Sequence, residues 1–294
     1  VYQIKEMMYG LRESFTYFEC LTCGCLQITT IPLDMSKYYP SDYYSFKTKK
    51  ESSLYDVLLR SRDNYVLFHK GFFGKLINHW YSNPALSALS CIHLSKSSRI
   101  LDVGCGAGQI LQSLKQIGFN NLLGIDKYLA QDMVLNGVEL RRQELPQTAG
   151  EWDLIMFHHS FEHIPNQLET LGAAANCLAD EGICLISIPT VSSYAWKHYR
   201  ENWVQLDAPR HFYLHSLKSM SLIARKSGLC IAKIAYNSTA FQFWGSELYV
   251  KNIPLSTGAR FFSKSALKEF NGKARELNAL NQGDSAVFYL TKSH

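Results

Sequence analysis

Several groups of residues in this 294-residue chain have types and spacings suited to chemistry. The first is Leu101-Asp102-Val103-Gly104-Cys105-Gly106-Ala107-Gly108, where glycines spaced G-x-G-x-G follow an acid. Glycines between a strand and a helix let the backbone approach a ligand, and the helix N-terminus favours a negative group. A dinucleotide fingerprint starting at Gly104 would need glycine where Gln109 stands, and a Walker loop would need a Gly-Lys-Ser/Thr that is absent. Asp126 follows Asp102 by 24 residues and closes the next apolar run. A carboxylate so placed can accept both hydroxyls of an adenosine ribose.

Two further groups carry metal-ligand or acid–base residue types. His159-x-x-Glu162-His163 has the spacing of the inverted zinc-protease pattern, but it follows a strand of a nucleotide-type sheet, so no catalytic metal is expected there. His163 can act in chemistry or simply fix its loop through a hydrogen bond. Cys20-Leu21-Thr22-Cys23 is half of a zinc ribbon; no second C-x-x-C exists, and Cys25 is a poorly spaced third ligand. A plain hairpin with free thiols and no bound zinc is the expectation for the chain as given. The segment Thr190 to His215 gathers Tyr194, Trp203, Asp207, Arg210, His211 and other aromatic and basic residues.

These residues need elements to hold them. From Arg99 onward, short apolar strands (100–103, 122–125, 152–157, 183–188) alternate with helices ended by glycine, such as Ile110 to Ile117 before Gly118. Leu168, Leu171, Ala175 and Leu178 mark one helix face, ended by Gly182. Strands separated by helices imply a parallel sheet covered on both faces. A helix over Ser216 to Lys226 and a strand over Cys230 to Tyr236 follow, and the chain closes on Ala286 to Leu290. The roughly fifty residues between the last two strands form an insertion with an amphipathic helix through Leu267, Phe270, Ala274 and Leu277. Upstream, Leu54, Val57, Leu58, Tyr65 and Leu76 recur at near-helical spacing and predict a helical arm broken near Gly71 to Gly74.

At 47% hydrophobic and 19% charged residues, the chain is neither disordered nor fibrous. No run reaches the length of a membrane span and no secretion signal is seen, so a soluble, cytoplasmic protein without membrane insertion is expected. Eight scattered cysteines suit reduced thiols better than a disulfide framework. The net charge of +5 divides unevenly, with +4 in residues 1–100, −7 in 101–196 and +8 in 197–294. An acidic middle between basic flanks makes an anionic acceptor the first to consider; nucleic acid is not expected from so small a total.

Asp102-Val103-Gly104-Cys105-Gly106-Ala107-Gly108 with Gly124-Ile125-Asp126 resembles a class I S-adenosylmethionine-dependent methyltransferase, as does Trp152-Asp153-Leu154-Ile155-Met156 leading to Phe161-Glu162-His163-Ile164-Pro165. Asp207-Ala208-Pro209-Arg210-His211 after Trp203 resembles a motif of the branch that modifies sugars and cell-surface polysaccharides, in which a four-cysteine zinc ribbon precedes the domain. On that resemblance the first cysteine pair would lie ahead of Val1. The implied fold is a doubly wound, Rossmann-like α/β sheet of seven strands, the last antiparallel. The implied organisation is a partial zinc-ribbon-like hairpin and linker (1–45), a helical arm (46–97), a cofactor-binding core (98–236), a cap insertion (237–284) and the final core strand (285–294).

The implied cofactor is S-adenosylmethionine, with S-adenosylhomocysteine as product. Its site would comprise Asp102, Gly104, Cys105, Gly106, Gly108, Asp126, Lys127, Glu144 and His158, with Gln143 to Pro146 near the adenine. Methyl transfer needs an aligned nucleophile and a base for its proton. His211 is the first candidate base, followed by His163 and His159; Arg210, Asp207, Trp203 and Tyr194 would meet the acceptor. Arg210 and His211 can equally tie their loop to the sheet. Lys197, Arg200 and Arg210 suggest a nucleotide sugar or lipid-linked glycan as acceptor. The tyrosines from Tyr38 to Tyr44 either fold over the site as a lid or pack the arm against the core. Rival functions are a non-catalytic cofactor-binding subunit, a nicotinamide-dependent oxidoreductase, and an RNA methyltransferase, though no Asn-Pro-Pro-Tyr-type sequence for a flipped base is present. Polysaccharide biosynthesis is the expected setting, and oligomeric state is left open.

Overall fold

Runs of Ile, Leu and Val bounded by glycine and charged residues make the middle of the chain a sheet whose strands are buried on both faces. The computed structural model describes residues 1–40 and 53–293. The elements in chain order begin with strands β1 (Tyr2–Lys5), β2 (Ser14–Glu19) and β3 (Leu26–Ile28), followed by helices α1 (Ser53–Phe68), α2 (Phe72–Trp80) and α3 (Pro84–Leu89). Next come β4 (Arg99–Val103), α4 (Gln109–Gln116), β5 (Asn121–Ile125), β6 (Met133–Leu135), β7 (Val138–Arg141), β8 (Trp152–His158), α5 (Gln167–Cys177) and β9 (Leu178–Pro189). The chain ends with α6 (Tyr194–Tyr199), β10 (Tyr213–Leu214), α7 (Leu217–Lys226), β11 (Leu229–Tyr236), α8 (Phe241–Val250), α9 (Lys264–Ala279) and β12 (Ser285–Lys292).

The large sheet has the order β11-β12-β9-β8-β4-β5-β7-β6. Strands β7, β5, β4, β8 and β9 run parallel, and β12 slots between β9 and β11 antiparallel to both. The expected seven strands are all present; the short β6 adds an eighth as an antiparallel hairpin partner of β7 at one edge. The strand order reverses at β4, where β5 lies on one side and β8 on the other. A crevice therefore opens at the carboxyl ends of these strands.

Some local expectations shift. Helix α5 ends at Cys177, and Gly182 lies inside β9 rather than stopping the helix. Leu168 is 50% exposed, so the buried face of α5 runs through Leu171 and Ala174 instead. The arm packs its Val66, Leu86 and Leu89 on one sheet face against Ile100 and Leu111, with Phe68 stacked on Phe119. Its sequence-derived apolar stripe is another matter, because Val57, Leu58 and Leu76 stay half exposed. Within the tyrosine cluster Tyr38 is buried, its hydroxyl donating to Glu13 Oε2 (2.6 Å), while Tyr43 and Tyr44 lie outside the described residues. No helix among the described residues is long and apolar enough to cross a membrane.

The N-terminal hairpin is built into the second half of the molecule. Strands β1, β2 and β3 form a four-stranded sheet whose last member is β10, with Tyr213 opposite Gln27 and Leu214 opposite Leu26. Tyr17 and Leu26 share a core with Trp203, Phe212 and Phe243, which the insertion helices α8 and α9 also cover. At its centre Arg210, with no exposed surface, donates to both oxygens of Asp207, to Glu6 Oε1 (3.0 Å) and to the Tyr38 carbonyl (3.2 Å). Glu6 is itself buried and accepts from the backbone N–H groups of Tyr9 and Leu11. The Cys20–Cys23 turn is held by Ser216 Oγ, which donates to the Cys23 carbonyl, and Cys25 points inward with its thiol pushed up to about 12 by burial.

Removing one partner of a buried, fully hydrogen-bonded ion cluster leaves an uncompensated charge, at a cost of about 3–5 kcal/mol. Arg210→Ala is expected to lower the free energy of unfolding by that amount in a urea titration. A loss under about 1 kcal/mol would show that the cluster is dispensable.

Candidate active site

The crevice at the ends of β4 and β5 is shaped by the glycine run. Gly104 N donates to the Ile125 carbonyl (2.8 Å) and Gly106 N to Asp126 Oδ2 (3.0 Å), and Tyr128 N donates to Asp126 Oδ1 (2.9 Å). Gly104 has φ +75°, and a Cβ there would stand 2.4 Å from the Cβ of Ser160, whose hydroxyl donates to the Val103 carbonyl (2.5 Å). Gly108, at φ +67°, caps α4, and a side chain there would strike Leu140. The loop is thus pinned between β5 and the residue that follows β8. It walls a cleft of about 890 Å³ that also takes in Asp126, Lys127, Glu144, His159 and His163. Lys127 Nζ pairs with Glu144 Oε1 (3.1 Å). Tyr39 closes one side, stacked on Tyr128, with its hydroxyl 3.3 Å from His163 Nδ1.

Electrostatically the cleft is acidic at its base. Asp102 lies behind the loop, where burial, then the nearby Asp126 charge, raises it to about 7. Burial also raises Asp126, against the pull of its two backbone donors. Cys105 has its thiol pushed up by burial.

A second cavity of about 510 Å³ adjoins the first, lined by His158, His159, Glu162, His163, Asp207 and His211 together with Asn237, Ser238, Thr239, Phe241 and Asp284. His159 and His163 stand on the walls of both cavities. His159 adopts φ +52°, a left-handed conformation rare outside glycine that commonly marks a functional site. Its Nδ1 is 3.6 Å from Glu162 Oε1. Glu162 is fully buried; burial opposes its charge, but the imidazoles of His159, His163 and His211 hold it below the ordinary carboxylate range. His163 Nδ1 donates to the Arg210 carbonyl (2.8 Å), and His211 Nδ1 to the Gln205 carbonyl (2.7 Å).

The structure redistributes the residues picked out in the sequence. Gly104, Asp126, Lys127 and Glu144 reach the first cleft, whereas Asp102, Cys105, Gly106 and Gly108 support it from behind. His158, expected at the cofactor, opens into the second cavity, and burial followed by the His159 charge lowers it to about 3. Arg210 cannot meet an acceptor anion, because Glu6 and Asp207 neutralise it in the core. Trp203 is buried and donates its indole N–H to Asp284 (3.0 Å). Tyr194 stacks on His198 and accepts from Lys273 (3.2 Å), away from both cavities. His211 reaches the second cavity, but burial and the His163 charge lower it to about 4, which makes it a poorer base than its type suggests. Sequence reasoning passed over Ser160 and Asp284, neither of which sits in a recognisable spacing; Tyr39 belongs to the tyrosine cluster read as lid or packing, and Glu162 was signalled by the His-x-x-Glu-His pattern.

A family model described as a methyltransferase domain matches residues 79–234. The chain is similar to the ubiquinone biosynthesis O-methyltransferase of Psychrobacter cryohalolentis, 25% identical over 170 residues that make up 50% of this chain and 65% of that protein. It is 27% identical over 121 residues to the trans-aconitate 2-methyltransferase of Rhizobium leguminosarum, covering 37% of this chain and 45% of that one. The chain therefore spans less than two thirds of the length of these relatives. Among solved structures, a possible histamine N-methyltransferase from Thermotoga maritima aligns at 15% identity with a TM-score of 0.47, over 80% of this chain and 100% of that one.

Asp102 makes the cleft sensitive to pH. A carboxyl raised from 3.8 to about 7 contributes stability that is complete below 3.8 and is lost as pH rises through about 7. In ligand-free protein, Asp102→Asn is expected to flatten the decline in urea midpoint between about pH 4 and about pH 7. Parallel declines in the two proteins would remove Asp102 as the cause.

Proposed function

The chain belongs to the family of methyltransferase domains, enzymes that use S-adenosylmethionine, and on that premise we propose that it methylates a hydroxyl of a small, neutral, polyhydroxylated acceptor such as a glycan unit. The supporting observation is the shared wall, where His159 and His163 face both the glycine-loop cleft and the second cavity. A donor in the first and an acceptor in the second meet across these two imidazoles.

The cleft suits the donor. Each Asp126 oxygen takes one backbone N–H and keeps a lone pair for a ribose hydroxyl. Leu145 and Pro146 offer apolar surface for a purine, and the Gly104 backbone lies open for the amino-acid end. When bound, S-adenosylmethionine supplies an already activated sulfonium methyl. The chain must then align the acceptor oxygen and take its proton. His159 is the best-placed base: it is on the shared wall and partly exposed, and the Glu162 carboxylate at 3.6 Å stabilises the imidazolium that forms.

The second cavity also argues about charge. No lysine or arginine lines it among the described residues, while Glu162, Asp207 and Asp284 do. An anionic acceptor is therefore disfavoured, and Asn237, Ser238 and Thr239 beside Phe241 offer the hydrogen bonds and flat apolar face that a sugar ring uses. The acceptor named for the Psychrobacter relative makes phenols a necessary comparison.

Release of S-adenosylhomocysteine is the readout, with sugars, phenols and carboxylic acids as acceptors. His159→Asn is expected to keep donor affinity by calorimetry but to lose about 100-fold or more in turnover. Asp126→Ala is expected to weaken donor binding by about 10–100-fold. Unchanged turnover in His159→Asn discards the base, and tight donor binding with no turnover on any acceptor favours a non-catalytic subunit.

A further inference from the structure

Glu162 is a buried carboxylate, and among the described residues neither oxygen has a hydrogen-bond partner; His159 Nδ1 stands 3.6 Å from Oε1. An ionised group in that position needs compensating positive charge. In their neutral forms the imidazoles of His163 and His211 supply none. His163 and His211 have each committed the Nδ1 proton to a backbone carbonyl, which leaves Nε2 of each with only a lone pair. His211 Nε2 lies 3.8 Å from Glu162 Oε1 and 3.8 Å from Asp207 Oδ2, acceptor facing acceptor. Arg210, the cation beside this group, already belongs to Asp207 and Glu6.

Glu162, His163 and His211 each bring a ligand atom within 4.8 Å of the other two. Both imidazoles are held through Nδ1–H by backbone carbonyls, and Nε2 of His211 faces Glu162, the kind of support that metal-binding histidines commonly show. We propose that Glu162, His163 and His211 bind a divalent transition-metal cation in the wall of the second cavity. Two imidazoles and one carboxylate suit Mn²⁺, Fe²⁺, Co²⁺ or Zn²⁺ rather than Ca²⁺ or Mg²⁺. With ligands at about 2.1 Å, neighbouring donors stand about 3.0–3.5 Å apart, so the 3.8 Å gap closes by a few tenths of an ångström and a gap as wide as 4.8 Å by about 1–2 Å, within reach of side-chain rotation.

Three protein ligands leave coordination positions for the cavity, where an acceptor oxygen can bind the ion and release its proton more readily, to His159. That role rests on the methyl-transfer reading; binding of the ion does not. The test uses the full chain with Cys20→Ser and Cys23→Ser to remove the other thiol pair, stripped with chelator and titrated with Co²⁺. Elemental analysis after gel filtration is expected to find about one ion per chain, with a visible absorption band from the bound Co²⁺. Glu162→Gln and, separately, His211→Gln, both lining only the second cavity, are expected to abolish binding while S-adenosylhomocysteine still binds, which shows that the variants are folded. No retained Co²⁺, Mn²⁺ or Zn²⁺ at about 100 μM, or undiminished retention in both variants, overturns the site. Turnover enters none of these readings, so a protein that binds the ion but methylates nothing keeps the site and loses only the proposed reaction.

Discussion

The fold depends on one guanidinium placed where water cannot reach it. Arg210 is bound by Asp207 three residues away and by Glu6 some two hundred residues upstream, and it also holds the Tyr38 carbonyl. Burying three charges together is tolerable only because each guanidinium nitrogen is directed at an oxygen and Glu6 also accepts from backbone N–H groups. The cluster therefore determines geometry more than stability. It fixes the N-terminal strands over the segment after β9, and Tyr17 reinforces this by donating to the His211 carbonyl (2.8 Å).

That constraint builds the second cavity. The Arg210 carbonyl orients His163, and Arg210 itself holds Asp207 next to His211. Met8, from the N-terminal segment, and Leu255, from the insertion, complete the cavity's lining. Arg210 and Trp203, which the sequence suggests as acceptor contacts, are thus the frame. Chemistry is left to the histidines the frame turns inward and to the glycine loop, which the parallel sheet presents independently of it.

The core sheet was legible because its signals are local. Apolar strands of four to six residues, glycines after β4 and an aspartate after β5 express a parallel sheet and its switch-point crevice through neighbours in sequence. Boundaries slipped where the chain is partly exposed: β9 starts at Leu178 and runs through the exposed Asp180 and Glu181, and Leu168 faces solvent. The arm misled for the opposite reason, since its apolar spacing is regular yet Val57, Leu58 and Leu76 stay half exposed.

The sequence by itself determined the α/β architecture, the glycine loop with Asp126, and the presence of a histidine-rich segment beyond β9. Tertiary structure alone decided which of those side chains face a cavity and which are neutralised in the core. The physical reason is that a charge's role depends on what compensates it. Glu6 compensates Arg210 from the far end of the chain, and Glu162 must take its compensation among imidazoles drawn from β8's loop and the segment before β10. Neither relation has a sequence spacing by which it could be read.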